Sequence, residues 1–372
     1  YARTRTTSHE WRMEVLDLDH RFQGDLTPAA LAGQVDFNRD ADAPRASGTL
    51  DLIDDDGTVL DLDLRHLVRI THGLWVPEFA DTVWTPVITA RPMIPEDKGE
   101  VVGLALHGKD SFGLREGHPR RTWGKHRYVA SVIRDMHEDI GETKFRIDPS
   151  LLTGKAPKLA DKVQTGGPNQ EQCPTLVSRR LASAHGIEAE YDAEGYLCIR
   201  RPAKAPAARW SDDPDDPDFG GLLSTMTWRR DLTVIRNHVV ATGKPTGKGK
   251  SRRKRQRTAT APPGHIYSPQ SLKRGGVPDR ITAYLNLPSV ASLAELQRRA
   301  DAQLARLLTE HPVAQMQVIP RYDLSHGALV EASRITGKAG QWRLQDASLP
   351  ITSTGEDVSM SIGYRTDLKV AL

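Results

Sequence analysis

The chain has 372 residues, with 51 Lys and Arg against 48 Asp and Glu and a formal net charge of +3. So even a balance excludes a molecule that grips nucleic acid through its bulk charge. Two cysteines, Cys173 and Cys198, exclude a disulfide framework and a multi-cysteine zinc site, and two buried thiols are the expectation.

The length suits about two to four compact domains, and a hydrophobic fraction of 38% points to several modest cores. No apolar run has the length of a membrane span. The start, Tyr1-Ala2-Arg3-Thr4-Arg5-Thr6, has no apolar signal-peptide core, and the absent initiator Met is what a trimmed chain would show.

From Glu10 to about Leu114 the pattern is β. Trp11-Arg12-Met13-Glu14-Val15-Leu16-Asp17-Leu18 alternates apolar and polar with period two, as a half-buried strand does. Further strands are predicted over 33–37, 46–53, 67–75, 83–91 and 100–108. Asn38-Arg39-Asp40, Asp54-Asp55-Asp56-Gly57 and Glu96-Asp97-Lys98-Gly99 supply turn chemistry between them. Short strands at this spacing read as an antiparallel barrel or sandwich.

The period then changes. Val129, Val132, Ile133, Met136 and Ile140 share one face of a helix that Gly141 stops. A second helix is predicted over 174–185, with Pro174 in its first turn. Two short runs, 187–191 and 196–200, form a hairpin around Asp192-Ala193-Glu194-Gly195. After the acidic, Pro-punctuated run Asp212–Asp218, strands are predicted over 222–229 and 232–242. A short His265–Pro269 segment, a strand over 280–287 and a helix over about 293–308 follow, the helix with a Ser292/Glu295 capping box. The end is β again, over 315–319, 330–335, 341–349 and 359–366.

Motifs with catalytic or metal chemistry are incomplete. His137-Glu138-Asp139-Ile140-Gly141 lacks the second His that a zinc-peptidase helix needs four residues on, so it reads as polar helix surface. Asp54–Gly57 and Asp212–Asp218 lack calcium-loop spacing; the first reads as a hairpin turn and the second as a solvated linker. Gly247-Lys248-Gly249-Lys250-Ser251 has the composition of a phosphate loop without its spacing or helix. His107, His118, His126 and His185 are scattered. No cofactor and no metal are expected.

The strongest single feature is basic. Lys244, Lys248, Lys250, Arg252, Arg253, Lys254, Arg255 and Arg257 lie together with no acid among them. Such a run suits sequence-blind phosphate contacts or an acidic partner, and it has no interleaved aromatic for base stacking. A flexible loop of roughly twenty residues reaches about 25 Å, enough to enter a channel or touch a neighbouring subunit.

The order of elements resembles the phage tail and baseplate central hub family. The likeness lies in Cys173–Gly186 followed by Ala189–Ile199, in Ile235-Arg236-Asn237-His238-Val239-Val240-Ala241-Thr242-Gly243, in His265–Pro269 with the following helix, and in Leu329–Ser333 and Trp342–Ile351. It spans nearly the whole chain. It implies a β-rich α+β fold of two tube-like antiparallel β-barrel domains, over 1–115 and over 206–242 with 312–372. Two smaller units, an α+β domain over 116–205 and an inserted basic loop and helix over 243–311, complete it. It also implies a non-enzymatic homotrimer in the virion, at the tail tip, assembled in the host cytoplasm. That trimer would close the tail tube, adapt sixfold to threefold symmetry and pass DNA at ejection. Its partners would be the distal tail protein, the tape-measure protein, tail-tip or fibre proteins, and DNA contacted non-specifically. Two other readings predict different surfaces. A tail-associated wall-degrading enzyme needs a cleft with converging acid and base groups. A receptor- or carbohydrate-binding module needs an exposed patch drawn from Trp75, Trp84, Trp123, Trp210, Trp228 and Trp342, which the strand patterns instead place in cores.

Overall fold

The computed structural model describes residues 9–38, 44–55, 57, 59–76, 81–93, 95–99, 101–167, 172–211, 227–229, 235–246, 255–287, 290, 292–309, 313–318, 321–324, 327–333, 340–351 and 358–364. The described residues are mostly strand with a smaller share of helix, which makes the fold β-rich α+β.

The period-two runs of the first region form β1 (His9–Asp17), β2 (Phe22–Asp25), β3 (Ala30–Phe37), β4 (Ala46–Leu52), β5 (His66–Val76), β6 (Asp81–Pro92), β7 (Glu96–Asp97) and β8 (Val102–Gly108). Then come β9 (Arg121–Trp123), α1 (Val129–Glu138), β10 (Phe145–Ile147), β11 (Val163–Thr165), α2 (Pro174–Ala184), β12 (Glu188–Tyr191) and β13 (Leu197–Arg200). The rest is β14 (Ala208–Ser211), β15 (Thr227–Arg229), β16 (His238–Thr242), β17 (Gln256–Thr260), α3 (Pro269–Arg274), β18 (Thr282–Asn286), α4 (Leu293–Thr309), β19 (Val313–Val318), β20 (Leu329–Ser333), β21 (Gly340–Ile351) and β22 (Val358–Tyr364).

The two β regions are hydrogen-bonded into one sheet of fourteen strands, in the order β15-β19-β22-β21-β3-β4-β8-β6-β5-β1-β2, with β7, β14 and β20 as side branches. The join is the antiparallel pair β3–β21, from Ala347 opposite Phe37 to Ile351 opposite Gly33. Gly33 is crowded from both neighbours: a Cβ there would lie 2.6 Å from Thr49 O on β4 and 3.1 Å from Ile351 Cδ1 on β21. The link from β2 to β3 is held against β1. Leu26 N–H donates to Met13 O (2.8 Å), and Met13 N–H donates to Thr27 Oγ1 (2.9 Å). Among the described residues no ring of paired strands closes. One apolar core runs under both regions, from Met13, Val35, Leu50, Leu104 and Ile70 to Trp210, Trp342 and Leu349. Trp11, His72 and Tyr322 add an aromatic contact between them, with His72 and Tyr322 centroids 3.9 Å apart.

A second core lies between α1, α2 and the three-stranded sheet β10-β13-β12. Val129, Val132, Ile133 and Met136 of α1 are fully buried against Leu181, Leu197 and Ile199, as their helical spacing predicts. Gly141 stops that helix at φ 86°. A third core fills the space between the sheet β17-β16-β18 and helices α3 and α4, through Val239, Ala241, Ala259, Leu296, Ala300 and Leu304.

Three local expectations change, and one helix is new. Of the strand predicted over 232–242, residues 232–234 lie outside the described residues and the strand begins at His238, just after Asn237, which is a clamp. Its side chain donates to Tyr267 O (3.0 Å) and Asp279 O (2.8 Å) and accepts from Ile281 N–H (2.7 Å). Asp54 does not make a tight hairpin, since β4 pairs with β3 and β8 rather than β5; its carboxylate instead accepts Val59 and Leu60 N–H, both at 3.0 Å. Ser292 caps α4 by accepting Glu295 N–H (3.3 Å), but the Glu295 carboxylate turns to Arg299 (2.7 Å) and Arg298 (3.0 Å), which offer charge as well as donors. Helix α3, too short for a periodic signal, is capped by Ser268, whose Oγ accepts Ser271 N–H. The run Asp212–Asp218 lies outside the described residues.

The β3–β21 join predicts a sharp contrast between two glycines. Gly33→Ala forces the paired backbones apart and costs about 1–3 kcal/mol, read as a lower thermal unfolding midpoint. Gly24→Ala on β2, where a Cβ meets nothing within 4 Å, leaves the midpoint essentially unchanged.

Candidate functional site

The basic segment is a hairpin connection. β16 and β17 pair antiparallel to Thr242 opposite Gln256, and Gly243 N–H donates to Arg255 O (2.8 Å), so the residues between Gly243 and Arg255 span the turn. Lys248, Lys250, Arg252, Arg253 and Lys254 lie outside the described residues. The stem is described: Lys244 and Arg257 are exposed and Arg255 is half-buried. It is also anchored. Lys244 N–H donates to Val290 O (2.8 Å), and a Cβ on Gly243 would come within 2.6 Å of Leu296 Cδ1. Helix α4 covers one face of this sheet. The register places Val240, Thr258 and Tyr284 side by side on the other, with Thr242, Gln256 and Asn286 next to them. Tyr284 is 82% exposed. The sequence signal for it was the alternation Ala283-Tyr284-Leu285, which turns Tyr284 away from the core that its neighbours join.

A second cluster escaped the sequence reading. The 3-10 turn Lys109–Leu114 follows β8 and carries charged residues into the boundary between the large sheet and the α1/α2 unit. Lys109 Nζ lies 2.8 Å from Glu142 Oε2, donates to Gly195 O (2.8 Å) and sits 3.2 Å from His20 Nε2. Glu142 Oε1 also accepts Thr143 N–H (2.9 Å) and Lys144 N–H (2.8 Å). Beside this pair, Asp110 and Arg179 form an ion pair, Asp110 Oδ2 accepts Arg45 N–H (3.0 Å), and Thr175 Oγ1 donates to Asp110 O (3.0 Å). His137 completes the group between Tyr191 OH (3.2 Å) and Ser178 Oγ (3.0 Å). It is 2% exposed, which corrects its reading as polar helix surface. Position 137 follows Ile133 by one helical turn, so the inward face was legible in the spacing.

Burial governs the electrostatics. It lowers the Lys109 pKa, against the pull of the Glu142 carboxylate, and raises that of Asp110, against Arg179. Burial, then Arg179 and Lys109, push His137 down to about 3; burial, with Lys109 and Arg69, pushes His20 down to about 4. Tyr191 is raised by burial and by Glu142. The arrangement holds neutral rings and closed ion pairs, which suits a weld between two units.

Nucleophiles are correspondingly muted. Cys173 and Cys198 are both free and buried; burial, then the Asp192 carboxylate, push Cys198 up to about 12, and burial raises Cys173. Among the described residues no group of three His, Cys, Asp or Glu side chains is placed to hold a metal. His118 Nε2 lies 2.9 Å from Phe112 O and His185 Nδ1 lies 2.9 Å from Leu181 O, each in a separate local contact. Trp123, Trp210 and Trp342 are buried in cores, and Trp84 carries Arg12 stacked 4.3 Å above its ring. No described helix is long and apolar enough to cross a membrane.

No family model matches the chain, and no curated protein matches it. Solved structures do. The 43 kDa tail protein of prophage MuSo2 from Shewanella oneidensis superposes with a TM-score of 0.62 at 12% identity, covering 96% of this chain and 99% of that one. The tail protein from Neisseria meningitidis MC58 gives 0.64 at 12% identity, over 95% and 96%. A prophage tail protein from Listeria monocytogenes EGD-e gives 0.55 at 12% identity, over 96% and 95%. The chain therefore carries, over nearly its whole length, a fold that phage tail proteins have.

The buried seam makes two predictions. Glu142→Gln keeps the acceptor for the two N–H groups but strands the Lys109 charge, at a cost of about 3–5 kcal/mol in denaturant unfolding. Adding Lys109→Met recovers much of that loss. The second concerns acid. His137 binds its proton at about 3 when folded and near 6.5 when unfolded. The unfolded chain thus holds more protons between those values, so this contribution is complete above pH 6.5 and is lost as pH falls below it. His137→Gln, which cannot titrate, loses less stability than the wild type between about pH 7 and pH 5 in the same assay.

Proposed function

We propose that this chain is the structural hub of a phage tail: a homotrimer at the tail tip that closes the tail tube and opens into a channel for DNA at ejection. The observation that carries the reading is the likeness of fold to three phage tail proteins over at least 95% of either chain. Catalysis has no part in it. Each subunit offers its two β regions as tube-like barrels, so three subunits present six, the number that matches a sixfold tube. The continuous core beneath both regions supports this, because it holds them as one rigid block. The smaller α+β units stand outside that block. The tube side meets the distal tail and tape-measure proteins, and the opposite side carries tip or fibre proteins. The chain reaches the virion after assembly in the host cytoplasm. The basic hairpin, with Lys244, Arg255 and Arg257 at its described stem and Lys248, Lys250, Arg252, Arg253 and Lys254 along its turn, touches DNA in the channel or braces a neighbouring subunit.

Particle imaging and native mass of the purified protein test this. A threefold ring with a central opening is the expected result. A monomer that clears cell-wall material would overturn the hub in favour of a wall-degrading enzyme.

A further inference from the structure

We propose that the open face of the β17-β16-β18 sheet, with the stem of the basic hairpin, is the docking surface for the acidic Asp212–Asp218 segment of a second copy of this chain. The inference rests on the reading of the chain as a subunit of a homo-oligomer, and it names the contact that joins neighbours.

The face is built for an anion. The fifteen residues of its three strands include no Asp and no Glu. Cations stand at both ends. Arg280, exposed, precedes β18, and burial, then this guanidinium, lower the His238 pKa. Lys244 and Arg255 stand at the other end, where the hairpin leaves the sheet. Among the described residues Lys244, Arg257 and Arg280 make no ion pair. Between the two ends Tyr284 projects at 82% exposure opposite Val240, with Thr258 one strand further and Thr242, Gln256 and Asn286 in the next row. An exposed tyrosine between two cationic ends is the composition of an interface anchor that is desolvated only when a partner arrives.

The occupant follows from charge and from backbone chemistry. Asp212-Asp213-Pro214-Asp215-Asp216-Pro217-Asp218 packs carboxylates without a cation, and it is the complement of the Lys244–Arg257 run in the same chain. Prolines three residues apart remove two N–H donors, so the segment cannot extend the sheet as a continuous edge strand. A closed ring satisfies every copy at once, because each gives one acidic segment and receives one.

Carbodiimide coupling, which joins a carboxylate directly to a lysine amine, tests the contact on an equal mixture of normal and heavy-nitrogen-labelled protein. The expected products join the Asp212–Asp218 peptide to the Lys244–Lys254 peptides, with mixed-isotope pairs present and lost at high salt. Only same-isotope pairs, or no pairs, would overturn the proposal. Sedimentation of variants gives the second arm. Tyr284→Ala weakens self-association about tenfold or more, and reversing Lys244, Arg255 and Arg280 to Glu abolishes it. Reversing Asp212, Asp213, Asp215 and Asp216 to Lys in that same chain restores it; failure to restore, with the fold intact by circular dichroism, sinks the idea. The hub reading stands or falls separately, on the threefold symmetry of the particle, since mixed-isotope pairs would form in any ring.

Discussion

The pairing of β3 with β21 is the constraint on which the rest depends. It joins the first strands of the chain to the last: Ser348 Oγ donates to Asp36 Oδ1 across a sequence separation of 312 residues. Closing so long a loop has a large entropic cost before any contact repays it. The repayment is apolar. Trp210, Trp342 and Leu349 from the C-terminal half share one core with Leu50, Leu104 and Ile70 from the N-terminal half, and each such side chain contributes about 1.5–3 kcal/mol on burial. Gly33 is the local condition, since only a hydrogen in place of Cβ lets Thr49 and Ile351 approach from both sides.

The charged seam solves a different problem, that of orientation. An apolar boundary between the large sheet and the α1/α2 unit would bury area but leave the angle loosely specified. Lys109 with Glu142 and Asp110 with Arg179 tolerate one geometry only, because each charge out of place would be buried without its partner. The direct tie of Thr89 Oγ1 to Ala193 O (2.8 Å) has the same effect at the hairpin tip. Such a seam adds little net stability and much rigidity.

The outer sheet β17-β16-β18 shows the opposite economy. Its inner face is filled by α4, while its outer face keeps Tyr284 and the stem cations in water. An exposed aromatic ring adds nothing to the stability of the isolated chain, and the proposed contact with a second copy would give it a role.

Periodicity determined the longer elements. The stripe Val129, Val132, Ile133 and Met136, the alternation in β1 and the hairpin at Asp192–Gly195 follow from side-chain direction, a local property of each backbone type. The order of those elements also carried the likeness to tail hubs. What tertiary structure alone decided is which strands meet and which charges are buried. Nothing near Gly33 signals that residue 351 will lie against it, and nothing near Lys109 signals a carboxylate thirty-three residues on. Strand pairing between distant segments rests on summed burial over the whole sheet. A buried lysine is stable only once its partner has been brought in by the fold. Tyr284 came beside the basic hairpin for the same reason: the parallel pairing of β16 with β18 sets Tyr284 opposite Val240, a neighbour that linear spacing could not supply.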